Sequence, residues 1–197
     1  MFKIKQNYNF LTSSECKKVV NYAKRSKKLE RSLMLDMTSF ENVISEKRTS
    51  NTLFCERGDC ALLDVIDSSI NQYMLINHKV VLPSSFVQIT QYLPDHSFEA
   101  HTDSLPYDKL IESNMKQRLW TALIYLNNPK SGGETVFPNA NLKITPEMGK
   151  IIAWPNTEMH SRHPWDMSLH SAEPIHEEDD EKFVMVKLYS EFSYSST

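Results

Sequence analysis

Residues 86–92 (FVQITQY) and 118–127 (RLWTALIYLN) are short runs of β-branched and aromatic side chains, as in the strands of a half-buried or fully buried sheet. Further runs of this kind follow, separated by Pro, Gly, Asn and Asp. The predicted strands are 86–92, 98–103, 118–127, 134–137, 149–154, 167–174 and 182–192. Several short strands separated by turn residues are typical of a double-sheet jelly roll.

Two helices are predicted ahead of these strands. Residues 12–15 (TSSE) have the form of a capping box, and apolar residues at helical spacing continue to about Lys28. Gly58 and Asp59 introduce a second helix, which should end near His78. Both helices are expected to back the jelly roll.

Two irregular stretches interrupt this pattern. Residues 31–57 have no sustained period and predict strand fragments and a mobile loop, and 104–117 predict an insertion with a short helix. The expected fold is α+β and mainly β, in a single domain over 1–197. A helical and loop part at about 1–82 would precede a double-stranded β-helix (jelly-roll) core at about 83–194.

Composition narrows the class of protein. The formal net charge of -3 argues against general nucleic-acid binding, and no basic face with interleaved aromatic residues is evident. The three cysteines lack zinc-type spacing, so reduced thiols are expected. No apolar run has the length of a signal peptide's core or of a membrane span. We therefore expect a cytoplasmic protein with no membrane partner.

A candidate metal site begins at His101-Thr102-Asp103. On a strand, residues i and i+2 project to the same side and can ligate one ion together. The two-histidine, one-carboxylate triad of non-haem Fe(II) enzymes needs one more, distant histidine, and it leaves positions open for a cosubstrate and dioxygen. The downstream candidates are His160, His163, His170 and His176.

The choice among these histidines depends on the cosubstrate. 2-Oxoglutarate would chelate iron at one end and present its other carboxylate, about 6 Å away, to a cationic side chain. His170 lies in a predicted strand, and Lys182 begins the next one after the acidic run 177–181. A hairpin with that run as its solvated tip would place ligand and cation on one wall. His160 is the best substitute for His170.

Six motifs occur in an order and spacing that can be compared with a known family. They are Gln88-Ile-Thr-Gln-Tyr92, His101-Thr-Asp103, residues 118–127, Gly132-Gly-Glu-Thr135-Val-Phe-Pro138, Gly149, and Ser168-Leu-His170-Ser-Ala-Glu-Pro174 followed by Lys182. This series resembles the catalytic domain of prolyl 4-hydroxylases. With Arg48-Thr49-Ser50 included, the resemblance covers roughly residues 11–189.

The resemblance implies an Fe(II)-dependent dioxygenase with iron held by His101, Asp103 and His170. Its cosubstrates would be 2-oxoglutarate and O2, with ascorbate as reductant. The implied reaction hydroxylates a substrate C–H bond and decarboxylates 2-oxoglutarate to succinate and CO2. Asp103 favours hydroxylation, because related halogenases have a small residue at that position.

The resemblance also implies roles around the iron. Lys182 would pair with the far carboxylate of 2-oxoglutarate, and Tyr92 and Thr135 would hydrogen-bond to the same molecule. Arg118 would lie near the substrate, and Arg48 would belong to a loop that folds over it. The implied partner is a polypeptide that contains proline.

Three departures from the family pattern concern the substrate side. Residues 93–96 (LPDH) replace the usual glycine, Ser85 replaces a frequent glutamate, and Leu188 replaces a frequent aromatic residue. The same chemistry on a free amino acid, another protein side chain, a small metabolite or a nucleic acid therefore stays open, as does a non-catalytic cupin-like metal-binding module. A wide groove rimmed by 31–57 would favour a polypeptide, and a closed pocket would favour a small molecule.

Overall fold

A computed structural model describes residues 2–78, 82–113, 115–158 and 161–191. Its helices are α1 (Ser13–Arg25), α2 (Ala61–His78) and α3 (Tyr107–Ser113). Its strands are β1 (Lys5–Asn7), β2 (Glu30–Arg31), β3 (Leu33–Leu35), β4 (Asn42–Ile44), β5 (Asn51–Glu56), β6 (Phe86–Tyr92), β7 (Phe98–His101), β8 (Arg118–Tyr125), β9 (Thr135–Phe137), β10 (Leu142–Ile144), β11 (Ile151–Pro155), β12 (His170–Ala172) and β13 (Lys182–Ser190). The chain is mainly β with few helices, and its strands pair antiparallel within the described residues.

A large sheet and a small sheet face each other. The large one has the order β1-β11-β8-β13-β6-β5-β2, and the small one has the order β10-β9-β12-β7. Side chains from both sheets form one apolar cluster, which includes Leu123, Phe137 and Trp154. The opposite face of the large sheet packs against the helices in a second cluster. The alternation of side chains along each strand assigns them to these two cores.

The first two helices cover the outer face of the large sheet. The capping box of α1 is present, because Thr12 accepts from the Glu15 backbone N–H and Glu15 accepts from the Thr12 N–H. The helix ends at Arg25, three residues before the predicted end, because Ser26 adopts an extended conformation. On α2 one face is apolar and packs toward the sheet, with Ile66 and Ile70 each 1% exposed. No helix in the described ranges is long and apolar enough to cross a membrane.

The predicted hairpin from His170 to Lys182 is wrong. β12 belongs to the small sheet and β13 to the large sheet, so the segment between them crosses from one sheet to the other. Ile175, in this crossover, is fully buried. The acidic run is also tied to the fold at its end, since Asp180 accepts from the Lys130 N–H and Glu181 pairs with Lys24.

Several predicted strands are longer than the observed ones. The strand predicted over 98–103 ends at His101, and the one over 167–174 is reduced to β12, preceded by a 3-10 turn at Asp166–Ser168. The strand over 118–127 ends at Tyr125, the one over 134–137 starts at Thr135, and the one over 149–154 is shifted to Ile151–Pro155. The strand over 182–192 ends at Ser190, and its last predicted residue lies outside the described residues.

The two irregular stretches are more ordered than their sequences indicate. Residues 31–57 supply the β3–β4 hairpin and all six residues of β5, a full member of the large sheet. The insertion 104–117 contains α3, as predicted, and Gln117 anchors it. The Gln117 amide accepts from the Leu105 N–H at 2.8 Å and donates to the carbonyl groups of Leu105 and Arg162.

Candidate metal and cosubstrate site

His101, Asp103 and His170 converge between the two sheets. One nitrogen or oxygen atom from each lies within 4.8 Å of the others. His101 ends β7 and faces His170 across the β7–β12 pair. Asp103 reaches the group from the turn beyond β7, so the prediction that both residues of the His-x-Asp pair lie on a strand is wrong for Asp103. This is the one such cluster of potential metal ligands among the described residues.

Backbone carbonyl groups orient both imidazole rings. His101 Nδ1 lies 2.8 Å from Glu99 O, and His170 Nδ1 lies 2.9 Å from Ser168 O. A carbonyl oxygen only accepts hydrogen bonds, so each Nδ1 must carry the proton. Each Nε2 is then unprotonated in the neutral ring, with its lone pair available to a metal.

Electrostatics favour the neutral form of His170 and the ionised form of Asp103, as metal ligation requires. Burial, together with the neighbouring His101, lowers the pKa of His170 to about 4, so its ring is neutral at pH 7. Burial would raise the pKa of Asp103, but His170, His101 and Thr121 hold it below its ordinary value. A carboxylate and two neutral imidazoles are the donor set of non-haem Fe(II) sites, so the residues present fit iron.

Aromatic rings surround the two histidines and limit their movement. The Phe98 ring stacks on His101 with centroids 3.5 Å apart. His170 packs edge-on against Trp154 at 4.9 Å and stacks on Phe137 at 5.4 Å. Trp154 and Phe137 are fully buried. These contacts exclude water from one side of the triad.

Lys182, the first residue of β13, is a buried amine that lies against Gly133 and Tyr92. It is 1% exposed, and its Nζ donates to Gly133 O at 2.7 Å. The same atom lies 4.4 Å from the ring centroid of Tyr92, its cross-strand neighbour. Burial lowers the pKa of Lys182 to about 7. Since no described carboxylate forms an ion pair with it, a bound carboxylate would stabilise its charge.

The polar groups predicted to contact 2-oxoglutarate lie near this lysine. Thr135 follows the Gly132–Gly133 turn and is 3% exposed. Its Oγ1 accepts a hydrogen bond from the hydroxyl of Tyr125 at 2.8 Å. Sequence reasoning missed Tyr125, although period-two alternation on β8 places it on the same face as Thr121, toward the site. The buried ammonium group of Lys182 and the neighbouring hydroxyl groups fit a carboxylate, whereas Gly133 O orients the lysine.

The two arginines predicted to contact substrate both lie at the site. Arg118 Nη1 donates to the backbone carbonyl of Asp103 at 3.4 Å. Arg48 lies over the Phe98 ring, with its Cζ 4.9 Å from the centroid. The Arg48 guanidinium also donates to Thr52 Oγ1 at 3.1 Å and to Leu33 O at 3.3 Å. Arg48 thus links the β3–β4 hairpin to the wall of the metal site.

The other candidate histidines are not part of the triad where the structure describes them. His163 is exposed and lies against Tyr107, with ring centroids 4.4 Å apart. His176 is exposed on the crossover segment. His160, the substitute for His170, lies outside the described residues.

This two-sheet fold, with its histidine and carboxylate triad, can be compared with known proteins. Residues 87–190 match the model of the 2OG-Fe(II) oxygenase superfamily, and the chain belongs to that family. Its members use Fe(II), 2-oxoglutarate and O2, so the resemblance inferred from the motifs is confirmed.

The curated relatives that the chain resembles include prolyl 4-hydroxylases. The chain is 34% identical over 133 residues to probable prolyl 4-hydroxylase 4 of Arabidopsis thaliana, covering 68% of this chain and 43% of the relative. It is 33% identical over 138 residues to prolyl 4-hydroxylase 5 of the same plant, covering 70% and 45%. The chain therefore spans less than half the length of these relatives.

Solved structures share the fold. A viral collagen prolyl hydroxylase from Paramecium bursaria Chlorella virus-1, in complex with 2-oxoglutarate, superimposes with a TM-score of 0.77 at 23% identity, covering 96% of each chain. A prolyl hydroxylase from Trichoplax adhaerens, bound to a peptide fragment of hypoxia inducible factor, gives a TM-score of 0.68 at 18% identity, covering 95% of this chain and 83% of the other.

Proposed function

We propose that this protein is a prolyl 4-hydroxylase-like dioxygenase that hydroxylates proline in a polypeptide. The observation that carries the proposal is the convergence of His101, Asp103 and His170. The buried Lys182, which forms no ion pair among the described residues, supports it as a cation for the cosubstrate. When bound, iron and 2-oxoglutarate supply the chemistry that inserts one oxygen atom of O2 into a C–H bond, with release of succinate and CO2. Ascorbate is the proposed reductant.

Each group of protein residues has a separate task in this proposal. His101, Asp103 and His170 would hold iron through two imidazole nitrogens and a carboxylate oxygen. Lys182 pairs with the far carboxylate of 2-oxoglutarate, and Tyr92 and Thr135 hydrogen-bond to the same molecule. The buried aromatic rings around the histidines exclude water from the reacting centre.

Exposed apolar side chains on the site side of the large sheet support a polypeptide substrate. Leu53 and Cys55 belong to the helix-side core, so Phe54, between them, points to the site side of the large sheet. Phe54 is 51% exposed and packs edge-on against Phe86 at 5.2 Å.

Further apolar side chains on the same face lie along β13, two strands away from β5. Leu188 and Val186 are half-buried, whereas Val184, further along the same face, is buried under the small sheet. Leu188 pairs with Thr121, whose hydroxyl contacts Asp103. An exposed apolar surface (Phe54, Phe86, Val186 and Leu188) suits an extended chain better than a small metabolite, which would need an enclosing pocket. Arg118 and Arg48 are proposed to contact the same substrate.

We assign the two facing sheets to a jelly roll within a single domain. Support comes from the shared large sheet, which contributes to both apolar clusters. The helical and loop part over 1–82 and the core over 83–194 are then parts of one unit. The cytoplasmic location expected from sequence stays a prediction.

The test is succinate formation from 2-oxoglutarate by protein loaded anaerobically with Fe(II) and then exposed to air. Proline-containing peptides should increase turnover and gain one oxygen atom, measured by mass spectrometry. His170→Ala should abolish turnover, because the triad loses a ligand. The control His163→Ala should retain it, since His163 is exposed and outside the triad.

Other outcomes distinguish the alternatives. Loss of turnover in His160→Ala, with activity retained in His170→Ala, would show that His160 and not His170 is the third iron ligand. Stimulation by free amino acids but not by peptides would indicate a small-molecule enzyme. Protein that binds neither Fe(II) nor 2-oxoglutarate would contradict the enzyme assignment.

A further inference from the structure

The three proposed iron ligands differ in what holds them. Each histidine is oriented by a carbonyl group two residues before it in the chain, Glu99 O for His101 and Ser168 O for His170. Asp103 lies in a turn and depends on a partner from another strand. Thr121, on β8, donates from Oγ1 to Asp103 Oδ2 at 2.5 Å.

Thr121 is in turn held by Asn156. Asn156 Nδ2 donates to Thr121 Oγ1 at 2.9 Å, and both residues are buried. The Thr121 hydroxyl has one proton, and the carboxylate of Asp103 can only accept it. Asn156 must therefore present its amide N–H to Thr121, so the direction of both hydrogen bonds is fixed.

The backbone of Asn156 is anchored beside both ends of the triad. Its carbonyl oxygen accepts from Ser104 Oγ at 3.0 Å, next to Asp103, and from the Trp165 N–H at 2.9 Å, in the segment leading to His170. Its own N–H donates to Leu119 O at 2.8 Å, on the strand that carries Thr121. Asn156 is thus placed to fix the position of the Thr121 hydroxyl relative to the Asp103 carboxylate.

We infer that Thr121 and Asn156 are positioning residues that hold the Asp103 carboxylate for iron ligation. The Thr121 hydroxyl engages Oδ2, and Oδ1 lies 3.6 Å from His101 Nε2. Without that hydroxyl the carboxylate would be free to rotate about its last side-chain bond. Hydrogen-bonding partners of metal ligands set ligand orientation and metal affinity. This inference rests on the proposed iron site.

The test measures Fe(II) affinity anaerobically, by competition with a chromophoric chelator, so that turnover is not needed. Thr121→Val keeps the side-chain shape and removes the donor, and it should weaken Fe(II) binding about 10- to 100-fold. Thr121→Ser restores the hydroxyl and should bind Fe(II) nearly as well as wild type. Thr121→Ala removes the same donor and replaces the valine variant if that does not fold.

A double-variant cycle tests whether Asn156 acts on Fe(II) affinity through Thr121 or through a general loss of stability around the site. Asn156→Ala acts through Thr121 in this proposal, so adding it to Thr121→Val should cost no further Fe(II) affinity. Thr90→Val is the matched control, because Thr90 is also buried on the large sheet but bonds to Thr52 at 3.2 Å. This control should retain wild-type Fe(II) affinity.

Several results would overturn the inference. They are wild-type Fe(II) affinity in Thr121→Val, equal losses in the serine and valine variants, losses that multiply in the double variant, and a comparable loss in Thr90→Val. Failure of the proposed iron site itself would look different. Wild-type protein would then not bind Fe(II), or His170→Ala would bind it as well as wild type.

Discussion

At the scale of single residues, Lys182 links burial to the binding of a cosubstrate. Water solvates a lysine ammonium well, and the interior around Lys182 replaces that water with one carbonyl group and the face of Tyr92. The resulting pKa of about 7 means that the charge is present in only part of the protein near neutral pH. A bound carboxylate would favour the charged form and raise this pKa.

We predict that affinity for 2-oxoglutarate falls as pH rises above about 7, because the free protein loses the Lys182 proton there. Isothermal titration calorimetry in buffers of different ionisation enthalpy measures the affinity and the proton taken up on binding. Lys182→Arg keeps its charge over this range and should show no such dependence. A constant wild-type affinity through this range would contradict the proposed role of Lys182.

The same pKa shift affects the stability of the ligand-free protein. The folded pKa of Lys182, about 7, lies below the ordinary lysine value of 10.5. Between these values the unfolded chain binds one more proton than the folded protein, so this group makes the protein more stable as pH rises. Below about pH 7 the full cost of burying the charge is present.

How much of the site could be predicted from sequence depends on the kind of contact involved. His101, Asp103 and His170 carry distinctive chemistry in recognisable motifs, and the structure brings these three together. Asn156 could not be found this way, because its role depends on a hydrogen bond to a residue 35 positions away in the chain. An asparagine after a strand otherwise reads as an ordinary turn residue.

At the scale of elements, strands with strong side-chain patterns were predicted well and short edge strands were not. The bounds of β6 agree with the prediction, since its alternation continues over seven residues. β1 (KQN) and β10 (LKI) have three residues each and too few apolar positions to show a period. The wrong hairpin between His170 and Lys182 has another cause. Which sheet a strand joins is decided by packing between distant segments, which adjacency in the chain does not reveal.

The turn before β9 gives a prediction at this scale. Gly133 has φ +74°, a left-handed conformation that costs other residues roughly 1–2 kcal/mol. A Cβ there would lie 3.1 Å from Lys182 Cδ. Gly133→Ala should therefore lower the free energy of unfolding, measured by urea denaturation, and should also weaken 2-oxoglutarate binding, because the side chain of Lys182 must move.

Gly58→Ala is the matched control for this prediction. Gly58 also has a positive φ, +98°, but a Cβ there would meet nothing within 4 Å. The Gly58→Ala variant should lose stability through backbone strain alone and keep the wild-type affinity for 2-oxoglutarate. Equal affinity losses in both variants would show that the effect comes from general destabilisation and not from contact with Lys182.

At the scale of the whole molecule, the two faces of the large sheet serve different purposes. The helix-side face is closed by α1 and α2 and forms the larger apolar cluster. The other face is covered by the small sheet only in part, so Phe54, Phe86, Val186 and Leu188 stay partly exposed there. The proposed iron ligands His101 and His170 lie on β7 and β12 of the small sheet, and Thr121 of the large sheet holds Asp103.

Among the exposed apolar residues on this face, Phe54 is the one whose substitution should separate substrate binding from chemistry. It is half-exposed, lies on β5, next to the edge strand β2 of the large sheet, and packs against Phe86. Phe54→Ala should raise KM for a proline peptide with apolar flanking residues by roughly tenfold, since aromatic anchors of an interface often contribute more than 1 kcal/mol. The value of kcat should hardly change, because the lost contact is the same in the ground state and the transition state.

Val65→Ala is the control for Phe54→Ala, because Val65 is 62% exposed on α2, on the other side of the large sheet. Steady-state succinate formation over a range of peptide concentrations should give wild-type KM in that variant. Uncoupled turnover of 2-oxoglutarate without peptide should be unchanged in both. If Phe54→Ala instead lowered kcat with KM unchanged, the aromatic pair would act on the metal site through packing, and the polypeptide would have to bind along another surface.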